Sequence, residues 1–419
     1  MSEKIKIFTI SDHPLSPSGV GTQTRYVVEG LLKTGKYQFV SFGGAIQHPD
    51  HTPQKTEAYG EDWVIWPVDG YGTADQVRAM ISQQKPDILW FMTDPRFYDW
   101  LWGIENEIRS QVPMVYYHVW DNYPYPKFNK RYYDSNDHVA CISKLTYDVV
   151  QTVAPDVDSS YIPHAVDTDI FYKLDEKTIE SFKQERFGPD GAKKFHFFWN
   201  NRNARRKQSG SLIFWFKKFL DVVGHDKAAL IMHTDPKDHN GQDLQYIIHE
   251  LGLTNGEVLF STAKIEAKDL ATVYNMVDCT INISDAEGFG LATLESLACE
   301  TPIIVTLTGG MKDQITDGEN LFGIGLEPVS KAIIGSQNVP YIYEDRLSEE
   351  VVVNGMLEMY NKTAEERAEI GRLGREYTMK QFNFDEFVER WDTLMMDIYN
   401  NKGSWENRQG YQSYEVRVL

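Results

Sequence analysis

The sequence predicts an α/β protein built from two doubly wound, Rossmann-like domains. Short β-rich apolar runs alternate with helical patterns through the first half of the chain, and the second half repeats this alternation. A charged segment at 173–194, which contains a Gly-Pro-Asp-Gly turn, separates the two runs. Strands that alternate with helices form parallel sheets covered by helices on both faces. The length of 419 residues also exceeds what one ordinary core accommodates.

The predicted elements divide the chain into three parts. Strands are predicted in the first half at 5–10, 38–42, 88–92, 114–117 and 139–142, with helices at 22–33, 73–83 and 144–153. Strands are predicted in the second half at 195–199, 229–233, 258–260, 279–283 and 302–306, with helices at 210–220, 244–251, 267–276 and 290–299. Helices at 364–380 and 384–399 come next, and the polar tail at 401–419 receives no predicted structure. We therefore expect domains at 1–180 and 181–383, and a C-terminal segment at 384–419.

Composition narrows the classes of protein and partner. A formal net charge of −19 disfavours nucleic acid and anionic membranes as partners, without excluding a local basic groove. The sequence lacks a run of about 18 apolar residues, the length that would predict a transmembrane helix. Its start moves directly into a strand, without the pattern of a signal peptide. The three cysteines lie scattered in apolar segments and are interpreted as reduced core residues, so we expect a cytoplasmic protein.

The most informative stretch runs from Glu287 to Glu295. A Gly-Phe-Gly turn comes directly after the first carboxylate, and a helix-forming run holds the second. A predicted strand precedes both, so the order is strand, glycine turn, helix, which directs free backbone N–H groups and a helix dipole at an anion. Carboxylates beside such a site can accept hydrogen bonds from ribose or sugar hydroxyls. The alternative interpretation is two surface glutamates near a helix start. The pattern favours a nucleotide diphosphate sugar, with Glu295 on the ribose and Glu287 on the sugar.

A basic loop, Arg202-Asn-Ala-Arg-Arg-Lys207, lies after the predicted strand at 195–199. Ligands bind at the carboxyl ends of strands in open parallel sheets. A guanidinium and an ammonium suit a diphosphate, and they would stabilise the charge that develops on it as it leaves. We assign this role to Arg202 and Lys207, and we interpret Arg205 and Arg206 as a solvated basic loop.

Two further candidates lie in the first half. Gly19 and Gly21, in the turn after the first predicted strand, would let the backbone approach a phosphate or sugar. They lack the third glycine of a dinucleotide fingerprint, and a plain strand–helix turn is the alternative. His118 lies just after a predicted strand and could donate to a substrate hydroxyl or carbonyl, although it could equally be structural. The aromatic loop at 119–126 could stack on a sugar or pack between domains.

Metal and cofactor motifs are weak. Asp156-Val-Asp158 and Asp167-Thr-Asp169 match an acidic pattern used for Mg²⁺ or Mn²⁺, but both flank proline-containing turns. Cysteine and histidine spacings do not fit zinc, and no phosphate-binding P-loop or nucleophile elbow is present. We predict no metal and no cofactor, since the nucleotide sugar would be the donor substrate. Thr308-Gly-Gly310 is either another close approach to a bound group or a tight turn.

Together these residues resemble the retaining glycosyltransferases of family four, which have the GT-B fold. The resemblance spans nearly the whole chain, and its most specific part is the pair of spaced glutamates with the Arg…Lys pair. Asn200-Asn201, in place of a glycine before the Arg, and Glu300, in place of a glycine after Cys299, depart from the family pattern. The remaining matching positions are Ser18 to Gly21, His118, the stretch 162–171, Leu297-Ala-Cys299, Thr301-Pro302, Gly309-Gly310 and the helical stretch at 384–399.

The resemblance implies two domains that face each other across a cleft, with an acceptor in the first and a nucleotide sugar, usually UDP-linked, in the second. It implies that the C-terminal helix crosses back to the first domain. Lys264 and Ile265 would contact the base, and Phe289, Gly290 and Leu291 would lie at the donor. It also implies front-face transfer with retention and without a metal.

The sequence therefore predicts a retaining glycosyltransferase that uses a nucleotide sugar, most simply a UDP-sugar. Its acceptor stays open among a glycan, a lipid-linked sugar, a protein and a modified DNA base. The alternatives are an epimerase or phosphorylase on the same fold, and a nucleotide-sugar-binding protein without activity.

Overall fold

The computed structural model describes residues 4–414, and contacts divide the chain into two compact units. Among the described residues, the first unit comprises 4–120, 125–165 and 385–414, and the second comprises 121–124 and 166–384. Residues 121–124 and 166–180, which the sequence assigns to the first domain, group with the second unit. The end of the predicted C-terminal segment, 415–419, lies outside the described residues.

The first unit is built on an eight-stranded sheet. The strand order is β3-β4-β2-β1-β5-β6-β7-β8, and every pair is parallel except β3 with β4. The strands are β1 (Ile5–Asp12), β2 (Tyr37–Gly44), β3 (Gln54–Lys55), β4 (Trp63–Pro67), β5 (Ile88–Thr93), β6 (Met114–His118), β7 (His138–Cys141) and β8 (Ser159–Tyr161). The helices are α1 (Gly19–Lys33), α2 (Ala74–Gln84), α3 (Asp99–Trp102), α4 (Glu105–Arg109), α5 (Lys130–Asp134) and α6 (Lys144–Val153).

The second unit contains a six-stranded parallel sheet and a separate hairpin. The sheet order is β11-β10-β9-β12-β13-β14, and β15 pairs antiparallel with β16. The strands are β9 (Phe195–Asn200), β10 (Ala228–His233), β11 (Val258–Ser261), β12 (Cys279–Asn282), β13 (Ile303–Thr306), β14 (Gly323–Leu326), β15 (Ser330–Ile334) and β16 (Ile342–Arg346). The helices are α7 (Glu176–Gly191), α8 (Ser209–Val223), α9 (Leu244–Glu250), α10 (Ala267–Met276), α11 (Leu291–Ala298), α12 (Lys312–Ile315), α13 (Glu349–Asn361) and α14 (Ala364–Gln381).

A last helix, α15 (Phe384–Lys402), groups with the first unit from Asp385 onward. Trp391 on this helix is fully buried, and its ring meets that of Tyr117 on β6 at 4.8 Å. Among residues 4–414, no helix is both long and apolar enough to cross a membrane.

The predicted strands all overlap observed ones because buried parallel strands appear as short apolar runs. The structure differs from the sequence prediction at 173–194, because most of this segment forms the helix α7 rather than a linker. This helix buries none of its residues, and its backbone breaks at Gly188 (φ 70°) just before Pro189. A polar helix without an apolar face cannot be told from a charged linker by periodicity.

The order of the second sheet determines where a ligand can bind. The chain adds β10 and β11 on one side of β9 and then continues on its other side with β12, β13 and β14. This reversal creates a crevice outside the carboxyl ends of β9 and β12, which is where open α/β sheets bind ligands. The loops after these two strands carry most of the candidate residues.

Candidate active site

The loops after β9 and β12 are tied together by their backbones. The Asp285 N–H donates to the carbonyl of Arg206 at 2.8 Å, and the Gly310 N–H donates to the carbonyl of Glu287 at 3.0 Å. Any Cβ at position 310 would collide with the carbonyl oxygen of Gly288, so only glycine permits this approach. Three loops, after β9, β12 and β13, therefore meet at one point of the sheet edge.

A buried ion pair lies at this meeting point. The Lys207 ammonium contacts the Glu287 carboxylate, and the two residues are only 8% and 9% exposed. Burial lowers the pKa of Lys207 to about 8, with a further contribution from the nearby charge of Arg206. Burial alone would raise the pKa of Glu287, but the charges of Lys207 and Arg206 hold that pKa below its usual value. Both groups are therefore predominantly charged at neutral pH.

Arg206 lies against the same carboxylate. Its Nη1 is 3.7 Å from Glu287 Oε2, its Nε is 3.4 Å from Asp121 Oδ2, and it donates to the Ala286 carbonyl at 2.7 Å. The sequence interpretation of Arg206 as part of a solvated loop is thus wrong. The side chain of Arg205 diverges from this carboxylate, since it forms two hydrogen bonds of 2.7 Å with Glu344.

Arg202 has a different environment from Lys207. Its side chain is 61% exposed and pairs with Asp238, with Nε 2.7 Å from Oδ2. In the part of the chain that the structure describes, no hydrogen bond or ion pair joins Arg202 to Lys207, Glu287 or Glu295. Its contact with a diphosphate stays a prediction, because this conformation commits the guanidinium to Asp238.

Glu295 lies on α11, the helix that begins directly after the Gly-Phe-Gly turn. It accepts a hydrogen bond from the Tyr274 hydroxyl at 2.8 Å, and that hydroxyl accepts one from Asn200 Nδ2 at 3.0 Å. Burial raises the pKa of Glu295 to about 7, although the bond from Tyr274 opposes the shift. Asn200 here orients the tyrosine that holds Glu295. In the sequence, Tyr274 could have been recognised as an aromatic residue on α10, the helix that is separated by one strand from α11.

The turn between the two glutamates is rigidly held. Gly290 adopts φ 94° and directly precedes Leu291, the first residue of α11. The first backbone N–H groups of this helix have no partners within the helix. Gln314 Nε2 donates to the carbonyls of Phe289 and Gly290 at 2.7 and 3.1 Å. The Phe289 ring is buried and meets Phe382 edge-on at 5.8 Å. A ligand at this turn would therefore meet backbone N–H groups rather than the Phe289 ring.

The predicted base-contacting residues occupy the loop between β11 and α10. Lys264 is exposed and Ile265 is half-buried. This loop comes after the edge strand of the sheet, and the contact of both residues with a nucleotide base stays a prediction.

The candidates in the first unit lie at the carboxyl edge of its own sheet. Gly19 is exposed at the start of α1, whereas Gly21 is buried and donates its N–H to Ser18 Oγ at 2.9 Å. A Cβ on Gly21 would lie 2.7 Å from the His13 carbonyl oxygen, so packing within the turn already accounts for this glycine. Their contact with a donor stays a prediction.

His118 ends β6 and is fully enclosed. It has no exposed surface, and its Nε2 is 3.0 Å from the Tyr133 hydroxyl. Burial lowers the pKa of His118 to about 3, so the ring is neutral at physiological pH. Its predicted contact with substrate would require the ring to become accessible.

The acidic pairs are held by neighbouring groups. Asp158 lies 2.7 Å from the Lys402 ammonium, and Asp167 accepts the N–H of Asp169 at 3.0 Å. Within residues 4–414, no group of three or more His, Cys, Asp or Glu side chains is arranged to hold a metal.

Comparison with known proteins points to one enzyme class. Residues 219–332 match the family described as "Glycosyl transferases group 1". A D-inositol 3-phosphate glycosyltransferase of Paenarthrobacter aurescens (strain TC1) is 29% identical over 161 residues, which cover 37% of this chain and 36% of that protein. The chain thus spans only about a third of that curated relative, and the matched family segment contains both Glu287 and Glu295.

Solved structures show the same fold over nearly the whole chain. Sucrose-phosphate synthase from Thermosynechococcus elongatus superimposes with a TM-score of 0.74 at 16% identity, covering 95% of this chain and 100% of that one. Anabaena Alr3699/HepE in complex with UDP and glucose gives 0.68 at 14% identity, covering 94% and 100%. The predicted α/β fold with two doubly wound units is confirmed.

Proposed function

We propose that this chain is a retaining glycosyltransferase that moves a hexosyl group from a UDP-sugar to an acceptor hydroxyl. The observation that carries the proposal is the buried Lys207–Glu287 pair, with Arg206 beside it, at the point where the second sheet reverses direction. Two cations and a helix N-terminus around one crevice suit a diphosphate. The match to the glycosyltransferase family over residues 219–332 supports the same chemistry.

The donor would be held along the carboxyl edge of the second sheet. Lys207 and Arg206 would contact the diphosphate, and Arg202 would reach it by exchanging Asp238 for phosphate oxygens. Glu295 would accept hydrogen bonds from the ribose hydroxyls, which favour its ionised form. The UDP found with Anabaena Alr3699/HepE supports UDP as the nucleotide.

The sugar and base ends would use the flanking loops. Glu287, together with the backbone of Phe289, Gly290 and Leu291, would contact the hexose. Lys264 and Ile265 would contact the uracil, at the far end of the same sheet edge. Gly19 and Gly21 in the first unit would approach the donor through their backbones.

Transfer would proceed at one face of the sugar. The bond from the anomeric carbon to the phosphate oxygen breaks, the acceptor oxygen bonds to that carbon from the same face, and the acceptor proton passes to the departing phosphate oxygen. Lys207 and Arg206 would stabilise the negative charge gained by the diphosphate, so a metal is not required. His118, neutral and enclosed, would support the loop at 119–126 and donate to the sugar only if it becomes exposed.

The cellular setting belongs to the same proposal. The three cysteines, Cys141, Cys279 and Cys299, are buried and unpaired, which supports a reducing, cytoplasmic location. The acidic net charge supports a glycan, lipid-linked sugar or protein acceptor over nucleic acid.

The test combines binding and turnover. Titration calorimetry should detect UDP binding to the wild-type chain, and UDP-glucose, UDP-galactose and UDP-N-acetylglucosamine should be screened for sugar transfer to a glycan panel. Lys207→Ala should lower transfer by at least about tenfold. Lys217→Ala removes a half-buried lysine on α8 that pairs with Asp221, and it serves as the matched control.

Equal transfer by Lys207→Ala and wild type would refute the diphosphate role. Release of UDP without a glycosylated product would indicate hydrolysis or epimerisation instead. Tight UDP binding without turnover on any acceptor would indicate a binding protein.

A further inference from the structure

A cavity of about 340 Å³ lies beside the β15–β16 hairpin. The hairpin contributes Lys331, Tyr343 and Asp345 to its lining, and Tyr123, Lys312 and Glu327 also line it. All six residues belong to the second unit. A volume of this size falls in the range of small-molecule sites.

One wall of the cavity is aromatic. The rings of Tyr123 and Tyr343 are nearly parallel, at 14°, with centroids 6.2 Å apart. The backbones are joined as well, since the Tyr343 N–H donates to the Tyr123 carbonyl at 2.7 Å. Both side chains remain half-exposed, so they present a fixed ring surface to a ligand. The C–H face of a pyranose packs on such a surface, because aromatic faces carry partial negative charge.

Four of the other lining residues are charged, and they comprise two lysines and two carboxylates. Lys331 lies opposite Asp345 in the hairpin register, yet its ammonium lies over the Tyr343 ring at 4.7 Å from the centroid. Lys312 lies similarly over Tyr123, at 5.8 Å. In the described range 4–414, neither lysine is in an ion pair with a carboxylate. Two ammonium groups with two carboxylates suit a neutral ligand with many hydroxyls, since hydroxyls both donate and accept, and they suit a phosphate less well.

The cavity adjoins the loops of the candidate active site. The Asp345 N–H donates to the Asp285 carbonyl at 3.0 Å, two residues before Glu287. Lys312 comes directly after the Gly309–Met311 turn, whose Gly310 N–H bonds the Glu287 carbonyl at 3.0 Å. Both walls are therefore anchored to the short segment from Asp285 to Glu287, where the transferred sugar is proposed to lie.

We propose that this cavity is a second carbohydrate site, which binds a neutral saccharide of the acceptor next to the donor sugar. The proposal rests on the proposed glycosyltransferase function, and it assigns part of acceptor recognition to the second unit. The two ammonium groups that lie over the rings of Tyr123 and Tyr343 would move aside to hydrogen-bond to the saccharide's hydroxyls, together with Asp345, and the two rings would then form the stacking surface.

The test uses the full chain saturated with UDP, so that the donor site is filled. Saturation-transfer NMR is recorded with glucose, galactose, N-acetylglucosamine, maltose and sucrose at millimolar concentration. At least one of these saccharides should receive saturation from the protein, and its apparent affinity should fall about tenfold in Tyr343→Ala. Tyr341→Ala removes an exposed tyrosine that precedes the same strand and does not line the cavity, so it should leave binding unchanged.

Three outcomes would overturn the proposal. The first is that none of the five saccharides receives NMR saturation from the protein. The second is that wild type and Tyr343→Ala bind saccharide equally well. The third is that inorganic phosphate displaces the bound saccharide. Calorimetry with UDP on the same samples separates the two proposals. Normal UDP binding with no saccharide binding overturns only the second site, whereas absent UDP binding overturns the proposed function itself.

Discussion

The two doubly wound units share the order of six parallel strands, β4-β2-β1-β5-β6-β7 in the first and β11-β10-β9-β12-β13-β14 in the second, and differ in the loops at the carboxyl ends of their strands. In each, the first strand, β1 or β9, lies at the centre of the sheet, with later strands added first on one side and then on the other. The loops at the second sheet's reversal bring together charged side chains, namely Lys207, Arg206 and Glu287. At the corresponding edge of the first unit, Asp12, the last residue of β1, accepts from the hydroxyls of Ser18 and Tyr71 at 2.6 and 2.9 Å, and Asp94, directly after β5, pairs with Arg96. The fold thus provides equivalent crevices, and the loop residues alone decide which one suits an anion.

The largest expected effect is on stability, and it tests the buried charges of Lys207, Arg206 and Glu287. Lys207→Ala leaves Glu287 buried without its nearest cation, so the free energy of unfolding should fall by about 3 kcal/mol. Replacing Glu287 with Gln in the same chain should recover much of that loss, because the uncompensated charge is removed. Urea unfolding of the two variants measures the difference. Equal stability of Lys207→Ala and wild type would mean that the pair is not buried in solution.

A second prediction concerns pH and Glu295. The folded-state pKa, about 7, is raised above the ordinary value, so this contribution to stability is complete below about pH 4.5 and is lost as pH rises through about 7. In Glu295→Gln this loss should be absent, a difference on the order of 2 kcal/mol between pH 5 and pH 8. Urea unfolding at the two pH values measures it. Parallel pH profiles for variant and wild type would contradict the assignment.

His118, the enclosed histidine of the first unit, should make stability depend on pH in the opposite direction from Glu295. Because the folded-state pKa of His118 is lowered to about 3, its contribution to stability is present above about pH 6.5 and is lost as pH falls. His118→Asn should be less stable than wild type by about 2 kcal/mol at neutral pH and should lose less stability on acidification. Thermal unfolding near pH 7 and near pH 5 tests this. A steeper acid dependence in the variant would contradict it.

The smallest effects should distinguish the two arginines. Arg202→Ala breaks an exposed pair with Asp238 and should change stability by less than about 1 kcal/mol. We expect UDP affinity to fall more in Arg206→Ala than in Arg202→Ala, because only Arg206 already lies against Glu287. Titration calorimetry compares them. A larger loss in Arg202→Ala would restore the role that the sequence assigned to it.

The sequence was sufficient for the fold because buried parallel strands are short apolar runs. It missed β3, β4, β8 and β14, and also the β15–β16 hairpin, whose first strand is largely exposed and whose second strand, Ile-Tyr-Glu-Asp-Arg, is mostly polar. Strand β4 contains two tryptophans and ends at Pro67, a pattern that is also compatible with a turn.

For the site, the sequence chose loops that the structure brings together, and it was less reliable about which of their side chains meet. It assigned Lys207 to the diphosphate and Glu287 to the sugar of one donor site, and the structure brings the two side chains into contact with each other. It chose Arg202 among three arginines in five residues, whereas the short turn at Arg205–Lys207 places the Arg206 guanidinium against Glu287. Tyr274 was missed because its contact with Glu295 joins separate helices.

The Gly309–Gly310 turn has a practical consequence for redesign. Since a methyl group at either position would strike the backbone around Glu287 and Gly288, the two segments must shift together or not at all. Attempts to alter the proposed sugar specificity should therefore leave these glycines unvaried and randomise positions outside that junction. Libraries that include 309 and 310 would be expected to yield mostly inactive clones.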